Sequence, residues 1–234
     1  MKEKKVIFWD FEGTLVYIRS LWGAALVSVL DECEPGHCIH PERLRPYLKT
    51  GFPWHTPEQP HLHLKTTDDW WSNLETVFIR AYQGVGFGLV RSSELAKQVR
   101  KYVINPDRYF IFEDTIPVLE NLRTHGWKHA ILSNHIPELP DMVKVLGLSA
   151  YVDFCISSAQ SGYEKPHPEA FRNALKITSN PDIVWMIGDN PKADIQGAEA
   201  LGIPAILVRN ANRTSAKYYA ENLYGAVKII ESEG

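Results

Sequence analysis

Cysteine is scarce in this chain of 234 residues. Three cysteines, an odd number, do not make a disulfide framework and point to a reducing, cytoplasmic setting. Cys33 and Cys38 lie close to His37 and His40, but the spacing fits no common zinc motif, so free thiols are expected. Long apolar runs are also missing. The longest, Leu21 to Leu30, is too short to span a bilayer and contains Gly23 and Ser28, which argues against a membrane protein. The charged start of the chain leads into a strand ending in Asp10, not into a signal-peptide core. Neither sign of charge dominates: 25 Lys and Arg face 28 Asp and Glu, a net charge of −3. With no basic block or charged tail, bulk electrostatics suggest no nucleic-acid partner. No repeat or low-complexity segment is apparent. The glycine string Gly84-Val85-Gly86-Phe87-Gly88 follows no clear strand, and reads as a helix stop rather than a phosphate-cradling loop.

What the chain does have is a run of apolar residues that ends in carboxylates. Val6-Ile7-Phe8-Trp9 reads as a strand buried on both faces, and it runs into Asp10-Phe11-Glu12-Gly13-Thr14-Leu15. In an open α/β sheet, ligands gather outside the carboxyl ends of the strands, where Asp10 sits. The plainer alternative is that Asp10 caps a turn and Gly13 supplies a positive φ.

Beyond Leu15 the pattern turns helical. Candidate helices lie at Ser20 to Glu32, Asp68 to Gln83 and Ser92 to Val103. The second is capped at 66–68 and carries Trp71, Leu74, Val77, Phe78 and Tyr82 at helical spacing. A Pro- and His-rich stretch, Pro35 to Pro60, separates the first two, with a short helix expected near Arg43 to Tyr47. From Pro106 onward helices and strands alternate. Strands are expected at Lys128 to Ser133, Val152 to Ser157, Ile183 to Ile187 and, last, Ala205 to Val208. Helices are expected at Asp114 to His125, Pro140 to Leu146, after Pro166 or Pro168, and at Pro191 to Leu201. Short connections between alternating elements imply a parallel sheet with right-handed crossovers, an α/β fold.

The polar residues fall at informative places. Asp10, Ser133 and Asp189 each close a strand, and Lys165 lies on a loop that opens a helix. Four such groups at carboxyl ends converge on one crevice. A carboxylate nucleophile attacks phosphorus, or an activated carbon, and forms a covalent intermediate. Against an anionic phosphate it needs charge cancellation. Asp10 and Asp189 are suited to Mg²⁺, which takes one or two carboxylates and several waters. Lys165 adds a positive charge, and Ser133 with backbone N–H groups of the next turn, at Asn134, donates to phosphate oxygens. Glu12, if it holds a proton, protonates the leaving oxygen and later deprotonates the attacking water.

DFEGTL, LSN, EKPHPEAF and GDNPKAD, in this order, resemble the four motifs of the haloacid dehalogenase superfamily. The resemblance covers roughly residues 4–16 and 106–212. It implies a Rossmann-like parallel sheet of order 3-2-1-4-5 with an α-helical cap inserted after the first strand. The corresponding division is 1–17 and 106–234 for the catalytic core and 18–105 for the cap. It further implies Asp10 as nucleophile, Ser133, Asn134 and Lys165 at the phosphoryl group, and Asp10, Asp189 and the backbone carbonyl of Glu12 on Mg²⁺. Asp194 matches the second acid of the last motif and is expected to orient Lys165 or a metal-bound water.

One residue departs from the pattern. Family phosphatases usually carry Asp two positions after the nucleophile, where this chain has Glu12. The carboxyl is kept and its reach grows by one methylene. The 2-haloacid dehalogenases of the family resemble one another in a Tyr there and a Ser/Asn-rich last motif. The carboxylate and GDNPKAD of this chain therefore favour Mg²⁺-dependent hydrolysis of a small phosphomonoester. A dehalogenase, a phosphotransferase, and a catalytically weak descendant that binds a phosphorylated ligand or a partner protein are the alternatives. The expected partner is a small phosphorylated metabolite, and the expected state a monomer or homodimer. Arg19, Arg43, Arg45, Tyr47, His55, His61, His63 and Arg80 are the polar residues of the insert, each read first as surface. Trp54, Trp70 and Trp71 are expected to pack the insert's own core. His135, beside Ser133, is the better-placed histidine.

Overall fold

A computed structural model describes residues 3–18, 21–210 and 216–233. Its centre is a six-stranded parallel sheet built from β1 (Lys5–Trp9), β4 (Trp127–Ser133), β5 (Phe154–Ser157), β6 (Ile183–Gly188), β7 (Ala205–Val208) and β8 (Tyr218–Ala220). The strands run in the order β5-β4-β1-β6-β7-β8. The first five follow the expected order 3-2-1-4-5. The sixth corrects the expectation that Ala205 to Val208 is the last strand. Tyr218–Ala220 pairs with β7 in parallel, three residues too short and too mixed to stand out as an apolar run.

β1 lies in the middle because both of its faces are apolar. Ile7 and Trp9 pack on one side of the sheet with Leu119, Leu122 and Ile230. Val6 and Phe8 pack on the other with Phe171, Ala174 and Ile195. Helices Thr115–Thr124, Leu139–Val145 and Leu223–Glu233 cover the first face, and helix Pro168–Ile177 covers the second. In-register pairing of Trp9 with Ile131 and Ile187 brings the carboxyl ends of β1, β4 and β6 to one level. His129, fully buried in β4, is kept neutral by that burial, and two partners fix its tautomer: Trp9 Nε1 donates to its Nδ1 (3.1 Å), and its Nε2 donates to the Leu119 carbonyl (3.0 Å).

Between β1 and β4 the chain leaves the sheet through β2 (Val16–Ile18) and returns through β3 (Tyr109–Ile111), which pair antiparallel. This ties the two ends of the helical insertion together, with Tyr17 stacked on Phe110 at 5.3 Å. Neither strand was apparent in the sequence, since each is only three residues long. The insertion holds helices Leu21–Cys33, Thr67–Gly84, Leu89–Ala96 and Val99–Val103. Ser20, the expected start of the first, lies outside the described residues. Thr66 and Asp69 form a reciprocal cap on the long helix, each side chain accepting from the other's backbone N–H. The single helix expected at Ser92 to Val103 is two helices, broken at Lys97–Gln98, where Gln98 N–H bonds the Leu95 carbonyl. The short helix expected near Arg43 to Tyr47 is a turn at Pro41–Leu44 continued by a tighter one at Arg45–Leu48. Among the described residues, no helix is long and apolar enough to cross a membrane, and the three cysteines are free thiols. Cys155 is half-buried in β5.

Candidate active site

The chain leaves β1 through a tight loop. Asp10 N–H still bonds the Ile187 carbonyl of β6 (2.9 Å), so the sheet fixes the backbone of Asp10 itself. Gly13 then turns back at φ +87, and a Cβ there would come within 2.3 Å of Asp189 Oδ2. Only glycine allows this loop to lie against the β6 carboxylate. Two side chains lock the loop from behind. Thr115 Oγ1 donates to the Leu15 carbonyl (2.7 Å), and Arg209 Nε donates to the Thr14 carbonyl (3.1 Å) while its Nη2 bonds Asp114.

The four strand-end and loop residues singled out in the sequence meet at one point. Ser133 Oγ donates to Asp10 Oδ1 (2.9 Å), and Lys165 Nζ donates to the same oxygen (2.8 Å). Lys165 is 2% exposed and also donates to Asp194 Oδ1 (2.6 Å). Burial opposes its charge, but the Asp10 and Asp194 carboxylates outweigh that cost and hold the ammonium above its usual range. Asp194 is completed by Asn190 N–H on Oδ2 (2.9 Å). Gly188, where a Cβ would sit 2.1 Å from that oxygen, makes room for it. These bonds place Asp194 behind Lys165.

The Asn134 side chain does something the sequence did not foretell, while Asn134 itself lines the cleft beside Ser133. Its side-chain amide closes a two-way clamp on the backbone of Lys165, accepting from Lys165 N–H (2.7 Å) and donating to its carbonyl (2.8 Å). The clamp sets the loop that delivers the ammonium.

Asp10, Asp189 and Asp194 each offer an oxygen within 4.8 Å of the others. Burial and then the negative charges of Asp10 and Asp194 push the Asp189 carboxyl upward. A divalent cation relieves that repulsion. Both oxygens of Asp194 are engaged, by Lys165 and by Asn190 N–H, whereas the donors on Asp10 share Oδ1, so Asp10 and Asp189 are the pair that fits a hard, oxygen-seeking ion. Glu12 lines the same cleft, and burial followed by the nearby Asp10 raises its pKa to about 7. At neutral pH such a carboxyl both gives and takes a proton.

His135 is 4% exposed, with both ring nitrogens free of hydrogen bonds among the described residues and its ring edge-on to Phe11 at 5.4 Å. Burial lowers its pKa to about 4, so it is a neutral wall of the cleft. Glu164, part of the third motif but given no role from sequence, is buried and raised to about 7 by that burial.

The cleft holds about 740 Å³ between the sheet and the insertion. Of the polar insertion residues picked out in the sequence, His55 lines it, and Arg19 lies outside the described residues. Arg43, Arg45, Tyr47, His61, His63 and Arg80 do not line it. Trp70 and Trp71 are buried, and Trp54 packs on the same core as expected, stacked on Phe52 at 4.9 Å, but it is only half-buried and also faces the cleft with Trp22. Lys49 and Thr50 also line it and were not foreseen, because nothing periodic marks a loop between two turns. Sheet and insertion touch at two further places. Glu138 accepts from Trp71 Nε1 (2.9 Å) and Arg100 Nε (2.9 Å), and His61 N–H donates to the Gly162 carbonyl (2.7 Å).

A family model described as haloacid dehalogenase-like hydrolase matches residues 4–202. The chain is 25% identical over 209 residues to haloacid dehalogenase-like hydrolase domain-containing protein 3 of Homo sapiens, covering 87% of this chain and 81% of that protein. It is 31% identical over 136 residues to phosphoserine phosphatase of Thermus thermophilus, covering 57% of this chain and 53% of that one. Among solved structures, the magnesium-bound HAD-hydrolase YfnB of Bacillus subtilis superposes with a TM-score of 0.76 at 15% identity, covering 98% of this chain and all of that one.

Proposed function

The chain belongs to the haloacid dehalogenase-like hydrolases, and from that premise we propose that it is a phosphatase that cleaves a small phosphomonoester through an aspartyl phosphate. The observation that carries this reading is the state of Asp10. Its Oδ1 is held by Ser133 and Lys165, and a second carboxyl that titrates near neutrality sits two residues on. The phosphatase-named relative supports the same reading.

In this account an Asp10 oxygen attacks phosphorus and the bond to the ester oxygen breaks. Glu12 gives its proton to the departing alkoxide, which leaves as an alcohol. The Glu12 carboxylate then takes a proton from water, whose oxygen attacks phosphorus and releases Asp10 and inorganic phosphate. Lys165 and Ser133 face the phosphoryl oxygens, and Asp194 with the Asn134 clamp keeps Lys165 in place. Asp10, Asp189 and the Glu12 carbonyl are the groups that would hold Mg²⁺. When bound, the ion cancels the repulsion between an anionic nucleophile and an anionic substrate.

The insertion, residues 18–105, acts as a cap over the core of 1–17 and 106–234, and it excludes water while the ester is cleaved. The Glu138 and Gly162 contacts support that role. The direct test is hydrolysis of p-nitrophenyl phosphate with Mg²⁺, with chelator, and by Asp10→Asn. Turnover that survives chelation, or that matches the Asn variant, removes the reading.

A further inference from the structure

The side of the cleft away from Asp10 has a composition of its own. Trp22 and Trp54 form an indole wall, with Phe52 packed between them at 4.8 and 4.9 Å. Lys49 and Thr50 line the cleft from the same insertion. Their loop is rigidly held: Arg80 Nη2 donates to the carbonyls of Tyr47 (2.9 Å) and Thr50 (2.6 Å), and the Tyr47 hydroxyl donates to the Gly84 carbonyl (2.9 Å). Lys49 has no ion-pair partner among the described residues, whereas Lys101 and Arg91 of the same insertion are paired with Glu32 and Glu34. His55 accepts from Phe52 N–H on Nδ1 (3.4 Å), so its neutral ring carries the proton on Nε2, a donor with a set direction. Among the described residues that line the cleft from the insertion, none is Asp, Glu, Asn or Gln.

A wall of donors without carboxylate or carboxamide acceptors suits an anion better than the hydroxyl groups of a neutral polyol, which need both. We propose that Lys49 and His55 form a second anion subsite, and that the substrates are phosphomonoesters whose leaving group ends in a carboxylate or a second phosphate. The carbon chain between the two ends packs on the indole wall. On the sheet side Asp10, Glu12, Asp189, Asp194 and the buried Lys165 are the groups assigned to the phosphoryl end, whereas Lys49 and His55 line the opposite, insertion side and are left for the other end of the ester. This orients the ester with phosphorus toward Asp10. The inference rests on the phosphatase reading.

The test uses the intact chain with Mg²⁺ and a homologous series of ω-phosphooxy carboxylates, each compared with its own methyl ester. A parallel series compares α,ω-bisphosphates with ω-hydroxyalkyl phosphates and separates the two sources of the anion. At one chain length the anionic member is expected to exceed its neutral twin about tenfold or more in kcat/KM, carried mainly by KM. Lys49→Ala brings that ratio close to one, Lys49→Arg restores most of it, and Arg43→Ala, outside the cleft, keeps it. Turnover of p-nitrophenyl phosphate without any such preference, or a ratio that Lys49→Ala leaves intact, overturns the subsite and spares the phosphatase reading. Absence of turnover on every ester overturns both.

Discussion

The two sides of the cleft are built by different rules. On the sheet side the groups that grip one another are buried and shared: Lys165 bonds two carboxylates, Asp10 accepts two donors on one oxygen, and Asp194 meets a side chain and a backbone N–H. On the insertion side the charged groups stand on loops, exposed, and are held through their backbones by Arg80 and an aromatic stack. Chemistry at phosphorus demands placement within a fraction of an ångström, and strand ends locked in register supply it. Choosing among leaving groups tolerates looser positioning, so loops suffice.

That contrast can be broken by mutation. Asp10→Asn should remove turnover by about 10⁴-fold or more, with the fold intact by circular dichroism, because no other group supplies the nucleophile. An Asn variant within tenfold of wild type would mean that the sheet side is not where the bond is made. Glu12→Gln comes next. In kcat/KM it should cost roughly 10² to 10³-fold on an alkyl phosphate and less than tenfold on p-nitrophenyl phosphate, whose leaving group needs no proton, whereas kcat falls on both because the water-activating step is shared. Equal losses of kcat/KM on both esters would give the residue a purely geometric role.

The sheet side should also carry its own acid sensitivity. Burial lowers the His129 pKa to about 4 from an ordinary 6.5, so the folded chain resists a proton that the unfolded chain accepts. Stability should therefore fall as pH drops from 6.5 and level off below 4, by roughly 3 kcal/mol at most from this group. His135 shifts the same way. Denaturant melts of wild type and His129→Gln across that range isolate the His129 share, and parallel slopes would deny it. The smallest effect concerns the join between the two sides. Glu138→Ala frees Arg100 and Trp71, and should lower kcat/KM about tenfold with little change in p-nitrophenyl phosphate binding. No change would show that this contact does not govern closure.

The same contrast explains what could be read from the residues. Val6–Trp9, the end of β4 and the end of β6 announce themselves as apolar runs stopped by Asp10, Ser133 and Asp189, because central parallel strands are apolar on both faces. Three-residue strands such as β2, β3 and β8 have no such contrast, and their pairing comes from tertiary neighbours. Nothing near His129 in the chain marks its role, since its donor and acceptor partners are ten residues or more away. Asn134 was legible as a polar residue of the turn after β4, but not its clamp on Lys165, 31 residues on. Lys49 was illegible for the same reason: its loop's direction is set by Arg80, 30 residues beyond Thr50 in the chain, not by local periodicity.

The most direct test of the central claim is acid-quench peptide mapping of the Mg²⁺-loaded protein during turnover of an efficiently cleaved ester. The account predicts a phosphoryl adduct on the peptide that carries Asp10, formed and lost at least as fast as product appears, and absent in Asp10→Asn. Steady turnover with no adduct, or with the adduct on another residue, would contradict it.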